Sequence, residues 1–158
     1  MNDISQDDPT GHAAARTFVV NSLAARAQSV AEIEAKLAAR DVPADVAAAV
    51  VDEALRLGYL DDAELAGQLA RGHRSRGYGR RRAERELRRR RLSESHTSSA
   101  LEAAYGDADE VELARAALGS RSIADANAER RAVAFLVRRG FSSGAAWAVV
   151  RERRGERA

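Results

Sequence analysis

Eleven arginines stand between Arg71 and Arg91 with only Glu84 and Glu86 among them, a local charge of +9 in a chain whose net charge is +2. Guanidinium groups are always charged, fork toward carboxylate and phosphate oxygens, and at this density call for a polyanionic counterpart, either nucleic acid or an acidic protein groove. On a helix of 3.6 residues per turn, Ala83 and Leu87 share one face, and Arg81, Arg82, Arg85, Arg88 and Arg89 fall on the other. Arg80, Arg90 and Arg91 flank the apolar face and can lay their stems along it. Arg71, Arg74 and Arg76 extend the patch upstream. Salt bridges at the i, i+4 spacings Arg82 to Glu86, Glu84 to Arg88 and Glu86 to Arg90 would soften the stripe, but two carboxylates cannot neutralise eight arginines.

Other chemistries find little support. His12, His73 and His96 are scattered, without a His-Glu-x-x-His spacing, and cysteine is absent, so neither a metal centre nor a disulfide is expected. Gly77-Tyr78-Gly79 resembles the start of a phosphate loop, but no strand precedes it and Arg82 stands where a third glycine belongs. No Walker pattern or nucleophile elbow occurs. The expectation is a binding protein, not an enzyme, with no cofactor. Tyr78 could stack on a base or pack within the fold. The start of the chain lacks the charge and apolar pattern of a signal peptide, and no run is long enough for a membrane span, so a cytoplasmic protein without membrane contact is expected.

The elements that must carry the arginines are helices throughout. Ser29 with Glu32, Asp61 with Glu64 and Asp107 with Glu110 have capping-box spacing, Pro43 suits a first helical turn, and Gly58, Gly77 and Gly140 sit where helices stop. In Asp61-Asp62, the first residue would cap a helix and the second favour the positive end of that helix's dipole. Nine helices are predicted, over 12–27, 29–40, 43–57, 62–76, 80–91, 94–105, 108–118, 126–139 and 143–154.

These nine are three copies of three. Ile33, Leu37 and Val42 recur as Ala83, Leu87 and Leu92 and again as Ala132, Leu136 and Phe141, at spacings of 50 and 49 residues. Leu69 and Leu118 anchor the first helices of the later copies. The predicted fold is all-α: three tandem three-helix repeats in an elongated, curved, solenoid-like body of either hand. A single compact nine-helix globule is the alternative. The divisions are a disordered tail over 1–11, repeat 1 over 12–60, a basic repeat 2 over 61–106 and repeat 3 over 107–158. Charge follows the same order, with five basic and twelve acidic residues before position 71 and ten of each after position 91.

The turn Gly58-Tyr59-Leu60-Asp61-Asp62, the stretch Arg74-Ser75-Arg76-Gly77 with Gly79-Arg80, the Glu86-Leu87-Arg88 helix ending at Leu92, and Arg138-Arg139-Gly140-Phe141 together resemble the RecX family of bacterial regulatory proteins. Gln28-Ser29-Val30-Ala31-Glu32-Ile33 is similar to that family's Arg-Ser-x-x-Glu-Leu start, with Gln28 in the arginine's place. The resemblance covers roughly residues 14 to 154. It implies a modulator that lies in the groove of the RecA filament on single-stranded DNA, suppresses strand exchange and ATP turnover, and so acts in DNA recombination, repair and the SOS response; a monomer is expected. Arg71, Arg74, Arg76, Arg80, Arg81, Arg82, Arg85, Arg88 and Arg89 are then the residues expected to meet RecA or DNA, with weak direct binding to DNA. Two other functions stay open: a non-sequence-specific nucleic-acid binder that acts without RecA, and a helical scaffold for an acidic protein.

Overall fold

Ser29 opens the second helix as its spacing demands: its hydroxyl accepts the Glu32 N–H at 3.1 Å, and the Glu32 carboxylate accepts the Ser29 N–H at 2.9 Å. The computed structural model describes residues 11–155, so all but Gly11 of the tail expected over 1–11 lies outside the described residues. Within that range the chain is helical, without strands: α1 (His12–Ala25), α2 (Val30–Ala38), α3 (Ala44–Arg56), α4 (Asp62–Ser75), α5 (Arg80–Arg89), α6 (Glu94–Tyr105), α7 (Glu110–Leu118), α8 (Ala126–Arg138) and α9 (Ser143–Gly155). The predicted boundaries agree to within about two residues, the margin at which helix ends fray.

One cap differs from expectation. Asp109, not Asp107, precedes α7 and accepts the Val111 and Glu112 N–H groups. Glu110 is thereby freed to hold Ser142, accepting its N–H and its hydroxyl at 2.7 Å each. Ser142 in turn accepts the Ala145 N–H at the start of α9. Pro43 likewise stands at the cap itself, one residue before α3.

By contacts the described residues form two units, one of 11–65 with Arg90–Leu92 and one of 66–89 with 93–155. In the first, α1 and α2 pack on α3 around Val19, Ile33, Leu37, Val50 and Leu60. In the second, α5 packs on α6, and α7, α8 and α9 pack on one another around Leu118, Leu136, Phe141 and Val149. Ala, Val and Leu dominate both interiors, in a chain of which only 4% is aromatic. Leu37, Leu87 and Leu136 are all 0% exposed. Leu69 is only half-buried; Ala66 and Ala70 take the interior positions of α4.

The backbone repeats where the side chains do. Asp41, Arg91 and Gly140, successively 50 and 49 residues apart, all have positive φ, at 57°, 56° and 97°. Each precedes the apolar residue of its copy, Val42, Leu92 or Phe141, and reverses the chain between second and third helices. Gly58 and Gly77 also turn left-handed, as expected.

Candidate functional site

The arginine helix α5 keeps Ala83 and Leu87 wholly buried and turns Arg81, Arg85, Arg88 and Arg89 to solvent. The charged side chains do not share one fate. Arg88 pairs with Glu84 at 2.8 Å, the expected i, i+4 bridge, and with Glu94 at 3.4 Å. Arg89 binds Glu86 through both Nε and Nη2, at 2.9 and 2.7 Å. Glu86 therefore bonds the residue three positions on, and the expected bridges to Arg82 and Arg90 give way to stronger neighbours. Arg82 stacks on the Tyr78 ring at 4.1 Å. Arg90, inside the first unit, binds Glu32 at 3.0 Å and the Ala27 carbonyl at 2.7 Å.

Arg81 and Arg85 are different: among the described residues neither guanidinium has a hydrogen bond or ion pair. Arg89 grips the partly buried Glu86 with two bonds, whereas the exposed contact of Arg88 with Glu94 is worth little net energy. The stripe is thus an open pair of guanidiniums flanked by two that already have carboxylate partners. A groove of about 250 Å³ runs along it, lined by His73, Arg82, Arg85, Glu86 and Arg89.

Upstream and beside it, Arg71, Arg74, Arg76 and Arg80 are exposed but directed. Arg71 lies back over Gly67. Arg74 donates to the Ala104 carbonyl, Arg76 Nε to the Gly72 carbonyl at 2.8 Å, and Arg80 approaches Glu102 at 3.4 Å. Tyr78 packs within the fold: Arg82 and Arg139 both approach its ring, His73 lies 5.5 Å from it, and its carbonyl accepts the Tyr105 hydroxyl at 3.0 Å. Burial pushes that hydroxyl's pKa up to about 12, against the pull of Arg74.

The Gly58-to-Asp62 turn is structural. Leu60 is buried, Tyr59 is exposed, and Asp61 accepts the Glu64 N–H at 2.9 Å. Asp62 does more than sit near its own helix end, accepting the Val30 N–H of α2 at 2.9 Å. The carboxylate pair therefore stitches two helix starts inside the first unit.

Two positioning arginines escaped the sequence reading. Arg139 donates to the carbonyls of Gly77 at 3.0 Å and Arg76 at 2.6 Å, fixing the turn that launches α5. Arg90 plays the matching part in the first unit. The signal was available, since Arg90 and Arg139 are 49 residues apart, the period already found in the leucines.

In the second unit, Gly79 meets the backbone of Gly140, with its N–H donating to the Arg139 carbonyl at 2.9 Å and the Arg81 N–H reaching the Gly140 carbonyl at 3.3 Å. The first turn of α5 is docked on the Arg139-Gly140 turn, which aims the arginines.

Burial raises the pKa of Glu32, but hydrogen bonds from Arg90, the Ser29 N–H and Arg26 outweigh it and hold the carboxyl below the usual carboxylate range. Among the described residues no cluster of three His, Asp or Glu is placed to hold a metal ion, and no helix is long and apolar enough to cross a membrane.

Two family models match the chain: the first three-helix domain of RecX over residues 15–53 and the second over 61–101. Among relatives, the regulatory protein RecX of Mycolicibacterium vanbaalenii is 35% identical over 147 residues, covering 86% of this chain and 80% of its own. That of Mycobacterium avium is 34% identical over 152 residues, covering 92% and 88%. The crystal structure of RecX from Lactobacillus salivarius superposes with a TM-score of 0.75 at 16% identity, over 90% of this chain and 96% of that one. A second crystal structure of a regulatory protein RecX gives 0.71 at 19% identity, over 96% and 81%. At those identities the superpositions speak for the fold alone.

Proposed function

The chain belongs to the RecX family of regulatory proteins, and from that premise we propose that it is a negative regulator of the RecA recombinase. It binds the RecA filament on single-stranded DNA, suppresses strand exchange and ATP turnover, and restrains recombination and repair in the cytoplasm. It acts as a monomer by binding, not by catalysis, and needs no cofactor or metal. The repeat divisions 12–60, 61–106 and 107–158 are the units through which it does so.

The observation that carries this reading is the face of α5. Arg81 and Arg85 have no anionic partner among the described residues, and Arg88 and Arg89 are exposed but already paired with the partly buried Glu84 and Glu86. Arg71, Arg74, Arg76, Arg80 and Arg82 surround that face and raise the local positive potential. Such a surface attracts a polyanion from a distance and orients it on contact. The stretch before position 71, with twelve acidic residues to five basic, lets one chain present opposite charges to a filament made of protein and nucleic acid.

The test is ATP hydrolysis and strand exchange by RecA on single-stranded DNA, with this protein present at far fewer molecules than RecA. Inhibition under those conditions is the expected result. Normal rates even at equimolar protein in low salt reject the proposal, and retained binding to DNA alone would then favour a nucleic-acid binder that works without RecA.

A further inference from the structure

The second unit contains a cleft of about 400 Å³ that the α5 stripe does not use. It is lined by Arg74, Arg76 and Arg139 together with Leu113, Ala116, Ala117 and Phe141. The volume lies within the roughly 300–1,000 Å³ of small-ligand sites.

Its chemistry is divided cleanly. Each of the three guanidiniums is already fixed along part of its fork by a backbone carbonyl: Arg74 by Ala104, Arg76 by Gly72, and Arg139 by Gly77 and Arg76. Those bonds consume some N–H groups and orient the rest. No carboxylate lines the cleft, so the remaining donors face no anion among the described residues. The same cleft is lined by Leu113, Ala116 and Ala117 of α7 and by Phe141, an apolar contribution whose two alanines offer only methyl groups.

We propose that this cleft takes a nucleoside phosphate, the phosphate on Arg74 and Arg76 and the base against Ala116 and Ala117. Three guanidiniums carry more charge than one carboxylate neutralises, and they match the several oxygens of a phosphate group. The small methyl groups of Ala116 and Ala117 leave room for a planar ring beside the arginines. The Tyr78 ring is not the stacking surface, because Arg82 and Arg139 already occupy it. The ligand's source is either a free nucleotide or one nucleotide of a single strand, since both present the same base and phosphate.

The site goes beyond the RecA reading, and its test contains no recombinase, so either can fail while the other stands. Backbone amide signals of Gly77, Ala116 and Ala117 are followed by NMR in the full chain. The probes are 2′-deoxyadenosine 5′-monophosphate, a short oligodeoxythymidine strand, inorganic phosphate and an acidic peptide with one phenylalanine.

Saturable shifts with the mononucleotide, the strand or both support the site and identify the source. Shifts that inorganic phosphate reproduces in full, shifts elicited by the acidic peptide alone, or unmoved signals with every probe overturn it. Ala116→Glu places a carboxylate at an exposed position of the cleft lining, and Arg76→Gln removes a donor. Each is expected to weaken binding about tenfold, the size of one lost hydrogen bond to a charged group. Unchanged affinity in Arg76→Gln, whose side chain is exposed and outside the core, also overturns the proposal.

Discussion

Arg90 and Arg139 make the same contact in two places. Arg90 donates to the Ala27 carbonyl at 2.7 Å and Arg139 to the Gly77 carbonyl at 3.0 Å, and the acceptors are themselves 50 residues apart. The pattern extends to the arginines' own carbonyls, which accept from the Ser29 hydroxyl in one case and the Gly79 N–H in the other. In each, a guanidinium covers carbonyls just past the end of a helix, α1 or α4, that the helix itself leaves without donors. Such an arginine acts as a clamp between the close of one copy's second helix and the turn between the first and second helices of the copy before it.

Removing that clamp should be costly for one side chain. Arg139→Ala leaves two carbonyls without their donors and is expected to lower stability by about 1–3 kcal/mol. Arg139→Lys keeps the charge but not the fork and should fall between. Urea midpoints measure both, and an unchanged midpoint for Arg139→Ala would show that water replaces the clamp without loss.

Glu32 gives the clamp of the first unit a dependence on acid. Its pKa lies below the usual range, so the stabilisation it supplies is fully present above that range. Stability from this group is lost as pH falls through the lowered value, because the folded state must then take up a proton it resists. Glu32→Gln should therefore destabilise the protein at neutral pH, and the gap to the parent should close as the solution is acidified. A gap that stays constant down to acid unfolding would remove Glu32 from the account.

Gly79 and Gly140 touch too closely for side chains. A Cβ added at Gly79 would overlap the Gly140 carbonyl, and one at Gly140 would come within 2.5 Å of the Arg82 nitrogen. Gly79→Ala should cost about 1–3 kcal/mol through forced separation of the two backbones, read as a lowered denaturation midpoint. Tolerance of the methyl group would mean the α5 start is not docked as described.

Leu37, Leu87 and Leu136 offer a test of the repeat itself. All three are completely buried, so Leu→Ala at each should cost about 2–5 kcal/mol. A negligible effect at Leu87 would undo both the alignment and the face assigned to the arginines.

Most helix ends could be read from the chain because the signals are local. Ser29 with Glu32 is a complete capping box, and the i, i+4 leucine pairs fix the buried faces. What could not be read required partners distant in sequence. The i, i+4 rule gives Glu86 to Arg90, but Glu32 lies 58 residues from Arg90 and takes it instead. Asp107 has the right spacing to Glu110, but Asp109 is the residue adjacent to the helix start, and the Glu110 carboxylate is drawn off to Ser142. The cleft beside Arg74 and Arg76 was likewise invisible, since its alanines come from a helix some forty residues later. Local rules hold until a tertiary neighbour makes a better offer.

The stripe on α5 should carry binding without carrying the fold. Arg81 and Arg85 are exposed and, among the described residues, bond to no anion, so replacing both by Glu removes no core contact. Stability should change by less than about 1 kcal/mol. The pair 81 and 85 stays like-charged, but position 85 with Arg89 turns from repulsion to attraction at i, i+4, which offsets part of any loss. Binding to the RecA filament should fall sharply, because two charges facing a polyanion have been reversed. The loss should shrink as salt rises, since attraction between exposed charges is screened beyond about 10 Å at 0.1 M. Arg88→Glu with Arg89→Glu is the informative comparison: those two already have carboxylate partners within the chain, so their reversal should weaken binding less and disturb stability more. If the Arg81→Glu, Arg85→Glu protein keeps its helical circular dichroism and inhibits RecA as well as the parent, α5 is a solvated face and the filament is met elsewhere.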